Sequence, residues 1–212
     1  QLLNLISDIL DLSKIEAGRM ELHIASYPVS YFEESVRRVL SAQIKDKDVC
    51  LEFTFSPEFE EIVVDQTRFR QILINLISNA IKFSNRSGVV TIGSERVGND
   101  LQFEVKDRGT GIKSEELGSL FRPFRQAMSG KELNHQGIGL GLAITKKLIE
   151  LHGGSISIES EFGSGTTVRF EIPLVIDATS ERRKQAEMLI DALHREHKST
   201  ESGEKPLALI IE

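Results

Sequence analysis

At 212 residues, with 40% apolar and 27% charged residues, the chain has room for one domain of ordinary size plus appendages. A formal net charge of −6 argues against nucleic acid as the main partner, although local donors can still hold a small anion. No apolar run approaches the roughly 18 residues of a membrane span, no signal-peptide pattern opens the sequence, and the single Cys50 excludes an internal disulfide and fits a reducing, cytoplasmic setting.

Residues 1 to about 18 read as a helix ended by Gly18. Leu2, Leu5, Ile9 and Leu12 form one apolar stripe and Leu3, Ile6 and Leu10 a second, so burial between helices is expected. The pattern starts abruptly, as in a piece cut from a longer protein. Met20 to Ile24 reads as a short strand broken by Tyr27-Pro28. Residues 29–46 read as an amphipathic helix with Phe32, Val36, Val39, Leu40 and Ile44 inward. Val49 to Phe55 alternates as a strand with Leu51, Phe53 and Phe55 on one face, and Cys50 within it is expected to be a buried structural thiol. After a short extended piece at Ile62-Val63-Val64, Asp65 has the chemistry of a helix N-cap.

The helix that follows runs to about Phe83 and carries two faces. Phe69, Ile72, Leu73, Leu76, Ile77 and Ala80 make a broad apolar stripe. Asn75, Asn79 and Lys82 fall at i, i+4 and i+7 on a different face. Two asparagines one turn apart weaken a helix slightly, so this row is expected to meet something. A carboxamide oxygen suits a hard cation such as Mg²⁺, and a lysine suits a phosphate. A solvated face that happens to carry two asparagines is the alternative.

Val89 to Ser94 and Leu101 to Lys106 read as strands joined by the hairpin signal Gly98-Asn99-Asp100. The second runs into DRGTGI, residues 107–112. There Asp107, followed closely by Gly109 and Gly111, suits an exocyclic amine such as that of adenine, or else forms an ordinary Asx-turn. A long polar stretch extends to Gln136, of a length usual for functional lids, with Phe121 and Phe124 expected to pin it to the body. GIGLGL, residues 137–142, opens a helix to about His152, and free amides at a helix start favour phosphates. The string lacks both the dinucleotide GxGxxG spacing and the Gly-Lys-Ser/Thr of a P-loop. Ser155 to Glu159 and Thr167 to Ile172 are strands joined by a turn at 162–165, with Thr166 within reach of a base through a water. Residues 178–198 read as an exposed helix, followed by a polar linker and the short apolar run LALII. With few helices set among strand pairs, the expected fold is an α/β (α+β) sandwich, one helical layer on a mostly antiparallel sheet.

In this order, the clusters resemble the catalytic ATP-binding domain of two-component sensor histidine kinases. The wider superfamily, called GHKL, includes DNA gyrase B subunits, heat-shock chaperone ATPases and the MutL mismatch-repair protein. NLISNAIKFS resembles the N box, DRGTGI the G1 box, LFRPF the F box, GIGLGLAI the G2 box and GSGTT the terminal glycine turn. The resemblance implies a Bergerat-type fold over residues 20–176, preceded by the end of a second dimerisation helix at 1–19. It implies a linker helix and flexible linker at 177–205 and the first strand of a receiver domain at 206–212, hence a hybrid kinase as parent. It implies ATP and Mg²⁺ as cofactors, with Asn79 on Mg²⁺, Asn75 near the phosphates, Lys82 on phosphate and Phe83 bordering the base. Asp107 would read the adenine amino group beside Gly109, Gly111 and Ile112. Gly137, Gly139, Leu140, Gly141 and the Leu142 amide would hold phosphates, with Thr166 at the base. Implied partners are the dimerisation and receiver domains of the parent, itself expected to be a homodimer in the family's manner, and a response regulator.

The sequence departs from the family pattern at Arg108 and Thr110, where Thr after the Asp and a branched residue between the glycines are commoner. Arg122, Arg125 and Lys131 are candidate phosphate contacts in the lid. None of His23, His135, His152, His194 or His197 lies in the family's phosphoacceptor box, so the nucleophile must come from another domain. Two other readings are a nucleotide-responsive interaction module and an ATP hydrolase. The hydrolases carry a carboxylate in the N box, and residues 68–84 contain none.

Overall fold

The computed structural model describes residues 2–57, 60–125 and 139–174. Helix α1 (Leu2–Glu16) leads through β1 (Ile24–Pro28) to α2 (Val29–Lys47), β2 (Cys50–Phe55), β3 (Glu61–Asp65) and α3 (Gln66–Phe83). The hairpin of β4 (Val89–Val97) and β5 (Asp100–Asp107) follows, then the short α4 (Ser114–Leu117), α5 (Gly141–Leu151) and the hairpin of β6 (Ser155–Glu161) and β7 (Gly165–Pro173). Five strands form one sheet in the order β2-β4-β5-β7-β6, while β1 and β3 form a separate antiparallel ribbon. Only β2 and β4 run parallel within the larger sheet. The expected α+β sandwich with a mostly antiparallel sheet is therefore the observed fold.

Strand alternation explains why one face of the sheet is apolar. Val90 and Ile92 of β4, Leu101, Phe103 and Val105 of β5, and Val168, Phe170 and Ile172 of β7 are buried together with the apolar stripes of α2, α3 and α5. Phe103 stacks on Phe170 with ring centroids 5.0 Å apart, and Phe69 of α3 meets both rings edge-on. The opposite face is polar, with Arg169 of β7 paired to Glu104 of β5 and Glu159 of β6. All six residues of the expected α3 stripe are buried, and the Asp65 carboxylate caps the helix by accepting the Arg68 N–H at 2.9 Å.

Several expectations fail for local reasons. The first strand begins at Ile24, where it was expected to end, and Tyr27 and Pro28 belong to it, because β3 supplies an edge partner where proline's missing N–H is tolerated. Cys50 is exposed: alternation sends Leu51 inward and Cys50 to the other face. Val39 is exposed, since the buried stripe of α2 runs Val29, Phe32, Val36 and Leu40. On α1, Ile6, Ile9 and Leu10 are exposed, while Leu12 and Ile15 pack on the core. The helix is anchored instead by a buried carboxylate, Asp11, which accepts from Arg68 at 2.9 Å and from Gln71 at 3.2 Å. In the stretch expected to pin the lid, Leu120 is the buried residue, Phe121 is half-buried and Phe124 is exposed. The expected elements beyond residue 176 lie outside the described residues, as do Lys131 and His135. No helix among the described residues is long and apolar enough to cross a membrane.

Candidate functional site

The sheet is apolar in its middle and polar at one end. Two adjacent cross-strand rows on its inner face, Ser94–Phe103–Phe170–Ile156 and Ile92–Val105–Val168–Ile158, are almost wholly apolar. The next row in register is Val90–Asp107–Thr166–Ser160. The alternation that buries Phe103 and Val105 thus also turns the Asp107 carboxylate inward, where only 7% of the residue is exposed. Asp107 accepts the Gly109 N–H at 2.8 Å and a backbone N–H from Thr166. Burial raises its pKa, and these two bonds oppose the rise without cancelling it. The Ser160 hydroxyl joins Thr166 Oγ1 at 2.9 Å and donates to the Gly165 carbonyl at 2.8 Å. It also receives the Ile112 N–H at 2.9 Å, which ties the loop after β5 to the β6–β7 turn.

Gly109 has to be glycine. A Cβ there would overlap the Phe83 carbonyl oxygen and crowd the Asp107 carboxylate. The neighbouring Thr110 N–H donates to the same Phe83 carbonyl at 3.2 Å, and the Thr110 carbonyl accepts the Gly163 N–H at 2.8 Å. Gly111 lies buried behind Glu161 and Phe162. The loop 107–112 is thus wedged between the C-terminal end of α3 and the last hairpin turn.

About two turns earlier, near its middle, the same helix meets α5. Asn75 Nδ2 donates to Thr145 Oγ1 at 2.7 Å, and the Asn75 carboxamide fills the space a side chain at Gly141 would need. Helix α5 has no side-chain cap, so amides of its first turn lack the partners a cap would give them. Leu140, at the cap position, is buried in the core, and Leu142 packs against it, so their side chains brace the turn. The Gly139 carbonyl accepts the Phe124 N–H at 3.0 Å, joining this turn to the F-box stretch. Gly137 lies outside the described residues. The side chain of Asn79, half-buried one turn beyond Asn75, makes no hydrogen bond among the described residues. The half-buried Lys82 ammonium sits 5.1 Å from the Phe83 ring centroid, and burial lowers its pKa. Phe83 itself is 41% exposed.

Residues 64–176 match the family described as histidine kinase-, DNA gyrase B- and HSP90-like ATPases. The chain belongs to this family. Its domain is of the catalytic ATP-binding type found in sensor histidine kinases. An uncharacterised sensor-like histidine kinase of Rhizobium meliloti is 42% identical over 86% of this chain and 35% of its own length. Hybrid signal transduction histidine kinase B of Dictyostelium discoideum is 42% identical over 85% of this chain and 9% of its own. The chain therefore spans about a third or less of these curated relatives. Among solved structures, the Acinetobacter baumannii histidine kinase AdeS superposes with a TM-score of 0.69 at 26% identity, covering 82% of this chain and 79% of that one. Full-length ShkA in complex with AMPPNP gives 0.72 at 29%, covering 82% and 36%.

Within this histidine kinase-type ATP-binding domain, two residues escaped the reading of the sequence. Ser160 is reachable by counting alternation back along β6, since it shares the inner face with Ile156 and Ile158. Thr145, one turn beyond Gly141 on α5, has no such signal: a lone threonine in an apolar helix reads as core, and only its contact with Asn75 reveals the joint. Arg122 and Arg125 are exposed and make no side-chain bond among the described residues. His152, expected at a helix end, caps α5, with Nδ1 2.7 Å from the Leu148 carbonyl and Nε2 accepting the Asp65 N–H at 3.2 Å.

Proposed function

We propose that the chain binds Mg-ATP along α3 and donates the γ-phosphoryl group to a histidine on a separate dimerisation domain of the same parent protein. The observation that carries this reading is that a single helix touches both halves of the site. Asn75 abuts the start of α5, and the Phe83 carbonyl abuts the Asp107–Thr110 loop, eight residues further on. At 1.5 Å per residue the two contacts are about 12 Å apart, a suitable separation for a purine base at one end and its phosphate chain at the other.

In this reading Asp107 accepts from the adenine amino group against the wall formed by Gly109, Gly111 and Ile112, with Thr166 beside it and Phe83 at the rim. The first-turn amides of α5, with Gly137, Gly139, Gly141 and Leu142, take the phosphates together with Lys82. Magnesium fits the chemistry of the donor: the Asn79 carboxamide offers a hard oxygen and makes no hydrogen bond among the described residues. Asn79 Oδ1 would share the ion with phosphate oxygens and water, as suits a small hard cation that dehydrates reluctantly. When bound, the ion neutralises charge on the phosphates, and the protein contributes position and electrostatics. The terminal phosphorus–oxygen bond breaks, ADP leaves, and the phosphoryl group goes to an imidazole nitrogen that this chain does not supply. With no carboxylate in residues 68–84 to activate water, transfer to a protein acceptor is favoured over hydrolysis.

Relatives suggest the wider setting. One is named a hybrid kinase, and the histidine kinase ThkA, a structural neighbour at TM-score 0.62, was solved with the response regulator TrrA. A response regulator or receiver domain is thus the expected consumer of the phosphoryl group, in a hybrid, dimeric parent acting in the cytoplasm. Incubating the chain with γ-labelled ATP and the separately produced dimerisation domain tests the reaction class. Acid-labile, base-stable label on that domain is the expected result, and release of free phosphate alone would replace the kinase reading with a hydrolase.

A further inference from the structure

The end of α3 is held from a direction the nucleotide site does not explain. Helix α2 stops because Asp48 takes a left-handed conformation, φ 56°, immediately after Lys47. The half-buried Lys47 side chain crosses to α3, and its ammonium donates to the Lys82 carbonyl at 2.8 Å and to the Ser84 carbonyl at 3.0 Å. Carbonyls in a helix's last turn lack internal partners, and a cation there also opposes the helix dipole. The carbonyl between the two, that of Phe83, accepts the Thr110 N–H and excludes any side chain at Gly109. Three successive peptides are thus gripped on alternate sides, 82 and 84 by α2 and 83 by the loop carrying Asp107. The segment beyond is strapped to the same two places. Ser87 N–H donates to the Lys47 carbonyl at 3.2 Å, Arg86 Nη2 to the Asp46 carbonyl at 3.0 Å, and Asn85 Nδ2 to the Arg108 carbonyl at 3.1 Å.

We infer that Lys47 is a positioning residue for nucleotide binding: by fixing the peptides on either side of Phe83 it sets the carbonyl against which the Gly109–Thr110 wall of the pocket is seated. It lies on α2, outside every motif that marks the site, and acts through α3 without touching the ligand. The inference rests on the reading of the Asp107–Thr110 loop as the base-binding wall. Because that wall serves the base, loss of Lys47 should weaken adenosine, ADP and ATP by the same factor. Loss of a phosphate contact would instead spare adenosine.

The test compares Lys47→Met and Lys47→Arg in the whole chain, by calorimetry with adenosine and with Mg-ATP, by thermal unfolding, and by the amide resonance of Thr110 without nucleotide. Removing a charged donor to two carbonyls should weaken both ligands roughly tenfold, and Lys47→Arg should restore affinity to within about threefold. The Thr110 amide proton should move upfield in Lys47→Met as its bond to Phe83 loosens. Wild-type affinities with a lowered unfolding midpoint and an unmoved Thr110 resonance would overturn the inference, leaving Lys47 a stabilising cap only. Lys47→Arg as weak as Lys47→Met would overturn it too. If Lys47→Met does not fold, Lys47→Gln takes its place: an upfield Thr110 resonance with weakened adenosine binding supports the inference, and a wild-type resonance with wild-type affinity overturns it. Failure of the wild-type chain to bind adenosine would instead sink the base-pocket reading, and the Thr110 resonance would still report whether Lys47 sets the loop.

Discussion

The two ends of the proposed nucleotide site are built by opposite strategies. At the base end, the polar groups that shape the wall are paired with one another: Asp107 holds two backbone amides, Ser160 bridges three groups, and Phe83, Thr110 and Gly163 lock loop to helix to turn. At the phosphate end, groups are left without partners among the described residues: α5 has no side-chain cap, the Asn79 side chain has no hydrogen bond, and the Lys82 ammonium rests over a ring. A rigid, satisfied wall suits a flat ligand that never changes shape. Unsatisfied donors suit a group that arrives charged, brings its own cation and departs shortened. The difference also predicts that disturbing the base end costs folding and binding together, whereas disturbing the phosphate end costs binding alone.

The largest expected effect is that of Gly109→Ala, whose methyl has no space beside the Phe83 carbonyl. Stability should fall by about 3 kcal/mol in chemical denaturation, and adenosine binding should be lost with it. Asp107→Ala comes next, abolishing adenosine and ATP binding alike, by more than about 100-fold in calorimetry, since an unpaired ligand amine is costly. Tight ATP binding by that variant would break the assignment of the base end. Asn79→Ala is the contrasting case. Mg-ATP affinity should drop roughly 10- to 100-fold while adenosine affinity and the unfolding midpoint stay unchanged, because no protein bond is lost. A lowered midpoint would erase the contrast between the two ends.

Acid provides a subtler probe. Burial raises the pKa of Asp107, so its folded state takes up a proton above the ordinary carboxylate value of 3.8. As pH falls through that raised value, adenosine affinity should decline, because the acceptor is protonated. The empty protein, in the same window, is relieved of a buried charge and gains stability relative to its unfolded chain. Asp65 carries the opposite sign. Burial would raise its pKa as well, but amides of Arg68, His23 and Thr67, aided by His152, outweigh burial and lower it. Its contribution is therefore complete above 3.8 and lost as pH falls through the lowered value. Asp107→Asn should flatten the affinity profile, and Asp65→Asn should weaken the acid dependence of unfolding. The smallest effect belongs to Thr166→Ala, which removes one hydroxyl partner of Ser160 and should weaken adenosine only about two- to fivefold.

The proposed phosphate end stands out in the sequence more plainly than the proposed base end. Asn75, Asn79 and Lys82 stand out because carboxamides one turn apart are poor helix formers, and GIGLGL because three alternating glycines are an unfavourable way to open a helix. The apolar stripe of α3 and the Asp65 cap follow from the 3.6-residue period and from cap chemistry, both of which act locally. The base end depends on register across four strands. Asp107 was identifiable from the glycines after it, but Ser160 required knowing that β6 pairs with β7, and Lys47 that α2 ends beside α3. Cys50 and Val39 were misplaced for the same reason: a period says which residues share a face, but the neighbouring element decides which face is covered. The anchoring of α1 through Asp11 was hidden, since the exposed Ile6, Ile9 and Leu10 dominate the pattern there.

The parallel pairing of β2 with β4 has one more consequence, for how the chain folds. Cys50 pairs with Val89, so β3 and all of α3 lie within the connection between the two strands. A parallel pair cannot be closed by a tight turn, and its contacts form only after a long loop has been ordered. The loop here is the element that carries Asn75, Asn79 and Lys82. Closure of the sheet's β2 edge and assembly of the nucleotide site should therefore be a single kinetic event, with refolding of β2 and recovery of ATP binding following the same rate constant.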